Sequence, residues 1–117
     1  MLILELAEQF TIQLVGSEMI VREMNETQNI YKRTVLQMLY SLCLEEIQVT
    51  EDILDRAESV RHISNIKYKD SIHLACAEAA KADALLTTDR KFMNNCNRIP
   101  IFTKVINPNQ WLLEVLY

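Results

Sequence analysis

Apolar and polar residues along this chain change period several times, from helical spacing to alternation and back. Leu2, Leu6 and Phe10 recur at helical spacing while Glu5, Glu8 and Gln9 turn elsewhere, which predicts a short amphipathic helix over 2–10 that begins without a cap. Thr11-Ile12-Gln13-Leu14-Val15 alternates and stops at Gly16, the signature of a strand, and Ser17 then caps a helix running to about Asn25. From Asn29 to about Leu44, the residues Ile30, Val35, Leu36, Leu39, Tyr40 and Cys43 share one face and Lys32, Arg33 and Gln37 the other. Glu46–Val49 alternates again as a short strand. Thr50, followed by Glu51 and Asp52 at the positive end of the helix dipole, opens a helix that ends near Asn65.

Lys69 to Ala82 is alanine-rich and lacks glycine and proline, so propensity and pattern agree on a helix. Ala84-Leu85-Leu86-Thr87 reads as a buried strand, Asp89 to about Asn95 as a short helix, and Ile101–Val105 as a last strand. Asn107 caps a final helix with Pro108 at its first position, docked by Trp111, Leu112 and Val115. Strands separated by helices, with no hairpin signals, predict an α/β fold with a mostly parallel sheet covered by helices. No repeat, low-complexity segment or linker marks an internal boundary, so the 117 residues are read as one domain.

Composition narrows the function. Half of the residues are hydrophobic and 24% charged, as in an ordinary globular chain. No apolar run approaches the roughly 18 to 20 residues needed to span a bilayer, and no basic segment precedes the first apolar residues, so a cytoplasmic protein without membrane association is expected. The single glycine, Gly16, excludes dinucleotide and phosphate loops, which need several. Cys43, Cys76 and Cys96 are odd in number and far apart, and with two histidines they complete no zinc-ligand spacing; buried, reduced thiols are expected. The net charge of −4 argues against a surface that grips nucleic acid all round. The charge is nevertheless uneven, −6 over residues 1–66 and +2 over 67–117.

Functional groups in open parallel sheets gather beyond the C-terminal ends of the strands. Glu18 and Glu23 lie on the helix after the first strand, Asp70 opens the alanine-rich helix, and Asp89 follows the Leu85–Thr88 segment. Clustered carboxylates repel by roughly 1 to 4 kcal/mol per pair at contact, which a cation relieves. Oxygen ligands without a cysteine or histidine cluster favour Mg²⁺ or Mn²⁺, ions that activate water and hold phosphate oxygens, so the reaction class is phosphodiester hydrolysis. Each acid also has a plainer explanation. Asp70 suits the helix dipole, Asp89 a helix cap, and Glu18 a solvated first turn, while His73, one turn after Asp70, suits packing or a hydrogen bond. Thr87 and Thr88 finish a strand, or place a hydroxyl beside Asp89 to hold an ion-bound water.

The stretch Tyr68-Lys69-Asp70-Ser71-Ile72-His73-Leu74-Ala75-Cys76-Ala77-Glu78-Ala79-Ala80, followed by Ala82-Asp83-Ala84-Leu85-Leu86-Thr87-Thr88-Asp89-Arg90-Lys91-Phe92, resembles the C-terminal half of PIN domains. Ser17-Glu18-Met19-Ile20-Val21-Arg22-Glu23 is similar to the segment that supplies a further acid of that family, and Val105-Ile106-Asn107-Pro108 before an apolar helix also suits it. The resemblance implies a three-layer α/β fold and a Mg²⁺- or Mn²⁺-dependent nuclease acting on RNA, with many relatives serving as VapC-like toxins restrained by an antitoxin. It implies that Glu23, Asp70 and Asp89 are catalytic and metal-site acids, that Thr88 is a supporting hydroxyl and Glu18 a second candidate acid, and that Lys69, Arg90 and Lys91 meet the RNA backbone.

PIN domains open with a central strand ending in an aspartate, and no such strand precedes the first helix here. An internal start, a trimmed chain or a shortened family member would each account for it. Loss of that aspartate lowers ion affinity and rate, tenfold for about every 1.4 kcal/mol, so weak or no nuclease activity is expected of this chain alone. Loss of the strand leaves edges that a homodimer would hide. The competing reading is a degenerate, non-catalytic module that keeps the fold to bind RNA or a protein partner such as an antitoxin. A receiver-like signalling domain fits less well, because its paired acids and central phosphorylated aspartate have no counterpart among these strands.

Overall fold

The computed structural model describes residues 2–9 and 11–116, which form an α/β fold of seven helices and four short strands. They gather into two compact units, within residues 1–48 and 49–117. The first unit holds α1 (Leu2–Glu8), β1 (Leu14–Ser17), α2 (Glu18–Glu26), α3 (Ile30–Tyr40) and β2 (Cys43–Ile47). The second holds α4 (Glu51–His62), α5 (Tyr68–Ala79), β3 (Ala84–Leu86), α6 (Arg90–Cys96), β4 (Lys104–Ile106) and α7 (Pro108–Leu116). Each unit contains one two-stranded sheet, β1 with β2 and β3 with β4, and both pairs are parallel, as alternation of strands and helices predicts. No helix among the described residues is long and apolar enough to cross a membrane.

In the first unit the helix over 2–10 exists, but its buried residues are Ile3 and Ala7, whereas Leu2 is exposed and Leu6 half-buried; Phe10 lies outside the described residues. Four of the first six residues are leucine or isoleucine, so the apolar pattern leaves the inward face undetermined by one position. The first strand begins three residues later than its alternation suggests. The amides of Thr11 and Ile12 donate to the Leu6 carbonyl at 2.9 and 3.4 Å and wrap the chain around the end of α1, leaving Leu14 as the first residue free to pair.

Ser17 closes β1 and also caps α2, its hydroxyl accepting from the Ile20 amide at 3.1 Å. Asn29 caps α3 through Lys32, at 3.0 Å. That helix stops at Tyr40 rather than near Leu44, because Cys43 to Ile47 pair with β1. None of its residues is fully buried: Arg33, Leu36 and Tyr40 are half-buried, while Ile30, Tyr31, Val35, Met38 and Leu39 are exposed. The expected inward face is therefore corrected to a narrower one, since strand pairing takes residues 43–47 away from the helix.

The single glycine is placed by close approach and not by backbone conformation, for no glycine has positive φ. A Cβ on Gly16 would collide with the Tyr40 ring. Tyr40 cannot retreat cheaply, because its hydroxyl donates to Glu46 Oε1 at 2.6 Å and also lies 3.4 Å from the Ser17 carbonyl oxygen. Burial, and then the Glu46 carboxylate, push the Tyr40 phenol well above its ordinary pKa, so the donor proton stays in place.

In the second unit the core is built from Val60, Ile66, Leu74, Phe92, Cys96 and Val105. Two predicted boundaries and one burial pattern are corrected. The last strand starts at Lys104 instead of Ile101, because side chains hold the preceding residues: Thr103 is buried with its hydroxyl on the Ala82 carbonyl at 3.2 Å, and the Phe102 amide donates to Glu78 Oε2 at 3.1 Å. In the first unit, the predicted strand over 46–49 lies at 43–47, where Cys43 to Ile47 pair with Leu14 to Ser17. β3 is half-buried and not fully buried, having β4 as its one strand neighbour. Trp111 and Leu112 are half-buried on α7, whereas Val115 is exposed.

Glu78 is the polar anchor of this unit. Its side chain is only 7% exposed, and Arg56 grips it with Nε at 2.9 Å and Nη2 at 3.1 Å. The same guanidinium donates to the Pro100 carbonyl at 3.2 Å and stacks over Phe102, 5.8 Å from the ring centroid. One carboxylate thus ties α4, α5 and the 100–102 segment together.

Replacing Glu78 with alanine strands the Arg56 charge and the Phe102 amide, and should destabilise the protein by about 2–3 kcal/mol in denaturant titration, with Glu78→Gln losing less because an acceptor remains. Gly16→Ala should cost about 1–3 kcal/mol by the same measurement. Equal stability of Gly16→Ala and the wild-type chain would show that Tyr40 moves aside freely.

Candidate functional site

Two of the predicted acids, Asp70 and Asp89, belong to the second unit. α5 ends at Ala80, where the Ala82 amide donates to the Ala77 carbonyl and the Lys81 amide to the Glu78 carbonyl, both at 3.0 Å. This is a Schellman closure, and Lys81 occupies its left-handed position at φ 56°. A lysine there costs on the order of 1–2 kcal/mol relative to right-handed backbone. The chain turns sharply there, and α5 packs against β3. Asp70 stands in the first turn of α5, and Asp89 follows β3.

Asp89 is the N-cap of α6. Its Oδ1 accepts from the Phe92 amide at 3.1 Å, and its own amide donates to the Thr87 hydroxyl at 3.1 Å. Thr87 also continues the ladder, its amide donating to the Ile106 carbonyl at 3.0 Å. The cap explanation of Asp89 is realised, yet only one oxygen is used: the residue is exposed, and Oδ2 makes no hydrogen bond to the described residues. The hydroxyl engaged beside Asp89 is that of Thr87, while Thr88 stands exposed in the turn.

Asp70 is half-buried in the first turn of α5, where a carboxylate favours the helix dipole. Burial, and then the charges of Asp70 and Glu78, push the buried Cys96 thiol up to about 12. Asp70 thus lies within electrostatic reach of the last residue of α6, whose first residue follows Asp89. Lys69, Arg90 and Lys91 are exposed. Arg90 and Lys91 occupy the first turn of α6, where the dipole disfavours cations, so helix stability does not explain them.

The other predicted acids belong to the first unit. Glu18 is the first residue of α2 and Glu23 lies five positions on; both are half-buried. At about 100° per residue they are some 140° apart around the helix, so they do not share a face. His73 is half-buried on α5, and Cys43 is half-buried whereas Cys76 and Cys96 are buried. Among the described residues, no three His, Cys, Asp or Glu side chains are gathered as a ready-made ion cage. The residue that sequence reasoning passed over is Glu78: in an alanine-rich helix it looks like any solvated acid, and only its Arg56 partner 22 positions away betrays it.

The raised Cys96 pKa sets a pH dependence. The folded state holds the thiol proton more tightly than the unfolded state, so its contribution is complete below the ordinary value of 9.0 and is lost as pH rises toward about 12. Unfolding free energy should fall above pH 9 by at most about 1.4 kcal/mol per pH unit from this group. The slope should be shallower in Cys96→Ala; an identical slope would remove Cys96 as its source.

The fold and the acids acquire a common context from comparison with known proteins. No curated protein and no solved structure matches the chain. The family model of the PIN domain matches residues 2–97, from α1 through α6, so the chain belongs to the PIN domain family, a family of nuclease type.

Proposed function

We propose that the chain acts on RNA as a metal-dependent ribonuclease whose ion-binding acids in the second unit are Asp70 and Asp89. What supports the proposal is that Asp70, in the first turn of α5, and Asp89, after β3 at the cap of α6, both stand in the segment that the PIN family model matches. The donor set fits a hard cation. Asp89 Oδ2 has no hydrogen-bond partner among the described residues, while the cap bond through Oδ1 fixes the direction of the carboxylate. A bound Mg²⁺ or Mn²⁺ would supply a Lewis acid for phosphate oxygens and a more acidic water.

The protein's own part is to hold the carboxylates and receive the polyanion. Arg90 and Lys91 beside Asp89, and Lys69 beside Asp70, place positive charge around both acids, consistent with backbone contacts that carry no sequence information. Glu23 and Glu18 enter as candidate acids on α2, and Thr88 as a candidate hydroxyl. A cytoplasmic location belongs to the same proposal.

A second reading, a non-catalytic module, is favoured by one observation. Ile30, Tyr31, Val35 and Met38 are all more than half exposed on α3, an apolar surface suited to a protein partner such as an antitoxin or a second copy of the chain.

The test uses Asp89→Asn and Asp89→Ala together. Asparagine keeps the capping oxygen, so Asp89→Asn should match wild-type stability, whereas Asp89→Ala should lose about 1 kcal/mol. In calorimetric Mn²⁺ titration, Asp89→Asn and Asp70→Asn should each weaken binding at least about tenfold, the equivalent of about 1.4 kcal/mol. Cleavage of a labelled single-stranded RNA should fall in parallel, and Glu23→Gln in the same assays decides whether Glu23 contributes. Mn²⁺ binding that is absent from the wild-type chain, or unchanged in both aspartate variants, would overturn the ribonuclease reading in favour of the non-catalytic module.

A further inference from the structure

Beyond the acids, the second unit carries a polar cavity of about 300 Å³ between the segment that leaves α4 and the C-terminal end of α6. Its polar lining includes His62 and Asn65 on one side and Asn95 and Arg98 on the other. Ile63 and Ile99 supply apolar surface. No carboxylate lines it, and Arg98 is a permanent cation.

The side chains differ in what they already hold. Ser64, also in the lining, is committed: its hydroxyl donates to the Val60 carbonyl at 2.6 Å and accepts from the Ile66 amide at 3.3 Å. His62 Nε2 lies 3.5 Å from Glu58 Oε1, outside the cavity. The Asn65 and Asn95 amides and the Arg98 guanidinium make no side-chain hydrogen bond to the described residues. Two amides can each donate and accept toward one planar group, a guanidinium can take a phosphate or stack on a ring, and isoleucine can cover a ring face. That combination matches a nucleotide, and the volume is at the lower end for ligand pockets, suited to one residue and not to several.

We propose that this cavity is a subsite for a single nucleotide of single-stranded RNA, with Asn65 and Asn95 on the base edge and Arg98 on the phosphate. The proposal rests on the reading of the chain as acting on RNA, and it deepens that reading by assigning base contacts. The elements that line the cavity also carry the acids: α6 begins after Asp89 and ends beside Asn95 and Arg98, about 10 Å along seven residues, and the segment after α4 leads within five residues from Asn65 to Asp70. A strand crossing the acids would therefore meet the cavity with a neighbouring nucleotide.

The test is titration of the full, isotope-labelled chain with each of the four nucleoside 5′-monophosphates, with inorganic phosphate and with uridine, followed by amide NMR without metal. At least one monophosphate should shift the signals of His62, Asn65, Asn95 and Arg98, including the side-chain amides of the two asparagines. Inorganic phosphate should act more weakly at the same positions. Asn95→Ala and Arg98→Gln should each reduce affinity about tenfold while leaving the melting temperature unchanged. Shifts confined to other residues, no shifts, equal shifts with phosphate alone, or unchanged affinity in both variants would overturn the subsite. Because the titration reads neither ion binding nor cleavage, a chain that fails to cut RNA leaves this result standing. A chain that cuts RNA without these shifts loses the subsite alone.

Discussion

The reversal between α5 and β3 is the constraint on which the packing of the second unit depends. Four residues turn a twelve-residue helix back along a strand, and the turn closes with Lys81 in a left-handed conformation that glycine would occupy without strain. What holds it is burial on either side: Ser71, Ile72, Leu74, Ala75 and Cys76 are enclosed along α5, and Thr103 binds the Ala82 carbonyl directly after the turn.

In the proposed role of Asp89, one carboxylate would serve structure and chemistry together. A metal-binding aspartate must have a defined orientation, and an exposed side chain has none unless something binds it. Here the Phe92 amide takes one oxygen, and Phe92 is itself buried in the core, so the cap is anchored to packing and not to a mobile loop. The Thr87 hydroxyl holds the Asp89 amide from the strand side. Capping and the proposed ion binding are therefore compatible demands, and the first would prepare the second. The two cations that follow, Arg90 and Lys91, oppose the dipole of the helix they begin, which the proposed contact with the RNA backbone would offset.

Most elements were legible because their signals are local. Ser17, Asn29, Thr50 and Asp89 cap the helices they were expected to cap or open, since a short polar side chain needs only an amide three residues away. Strand limits were not legible, because a ladder begins where both partners are free to pair. Thr11 and Ile12 bind the end of α1, and Phe102 and Thr103 bind Glu78 and Ala82, so neither run joins its strand in full. Glu78 and the α3 face fail for the same reason: burial of a charge or exposure of an apolar residue is decided by distant partners, and a single sequence does not name them. Asp70 and Asp89 could be nominated individually, through a first turn and a cap, because both signals are local.

The sheets of this protein carry less of its stability than their central place in the fold class suggests. Each has two strands, and parallel pairs are ordinarily buried within wider sheets. In the second unit Leu85 is only half-buried, whereas the helical residues Val60, Leu74 and Cys96 are almost fully enclosed. Helix packing, reinforced by the Arg56–Glu78 pair, is thus what fixes the positions of the strand ends. It follows that functional groups are best placed on helix termini and the segments joining them. The residues proposed for ion and nucleotide binding, Asp70, Asp89, Asn65, Asn95 and Arg98, all occupy such positions.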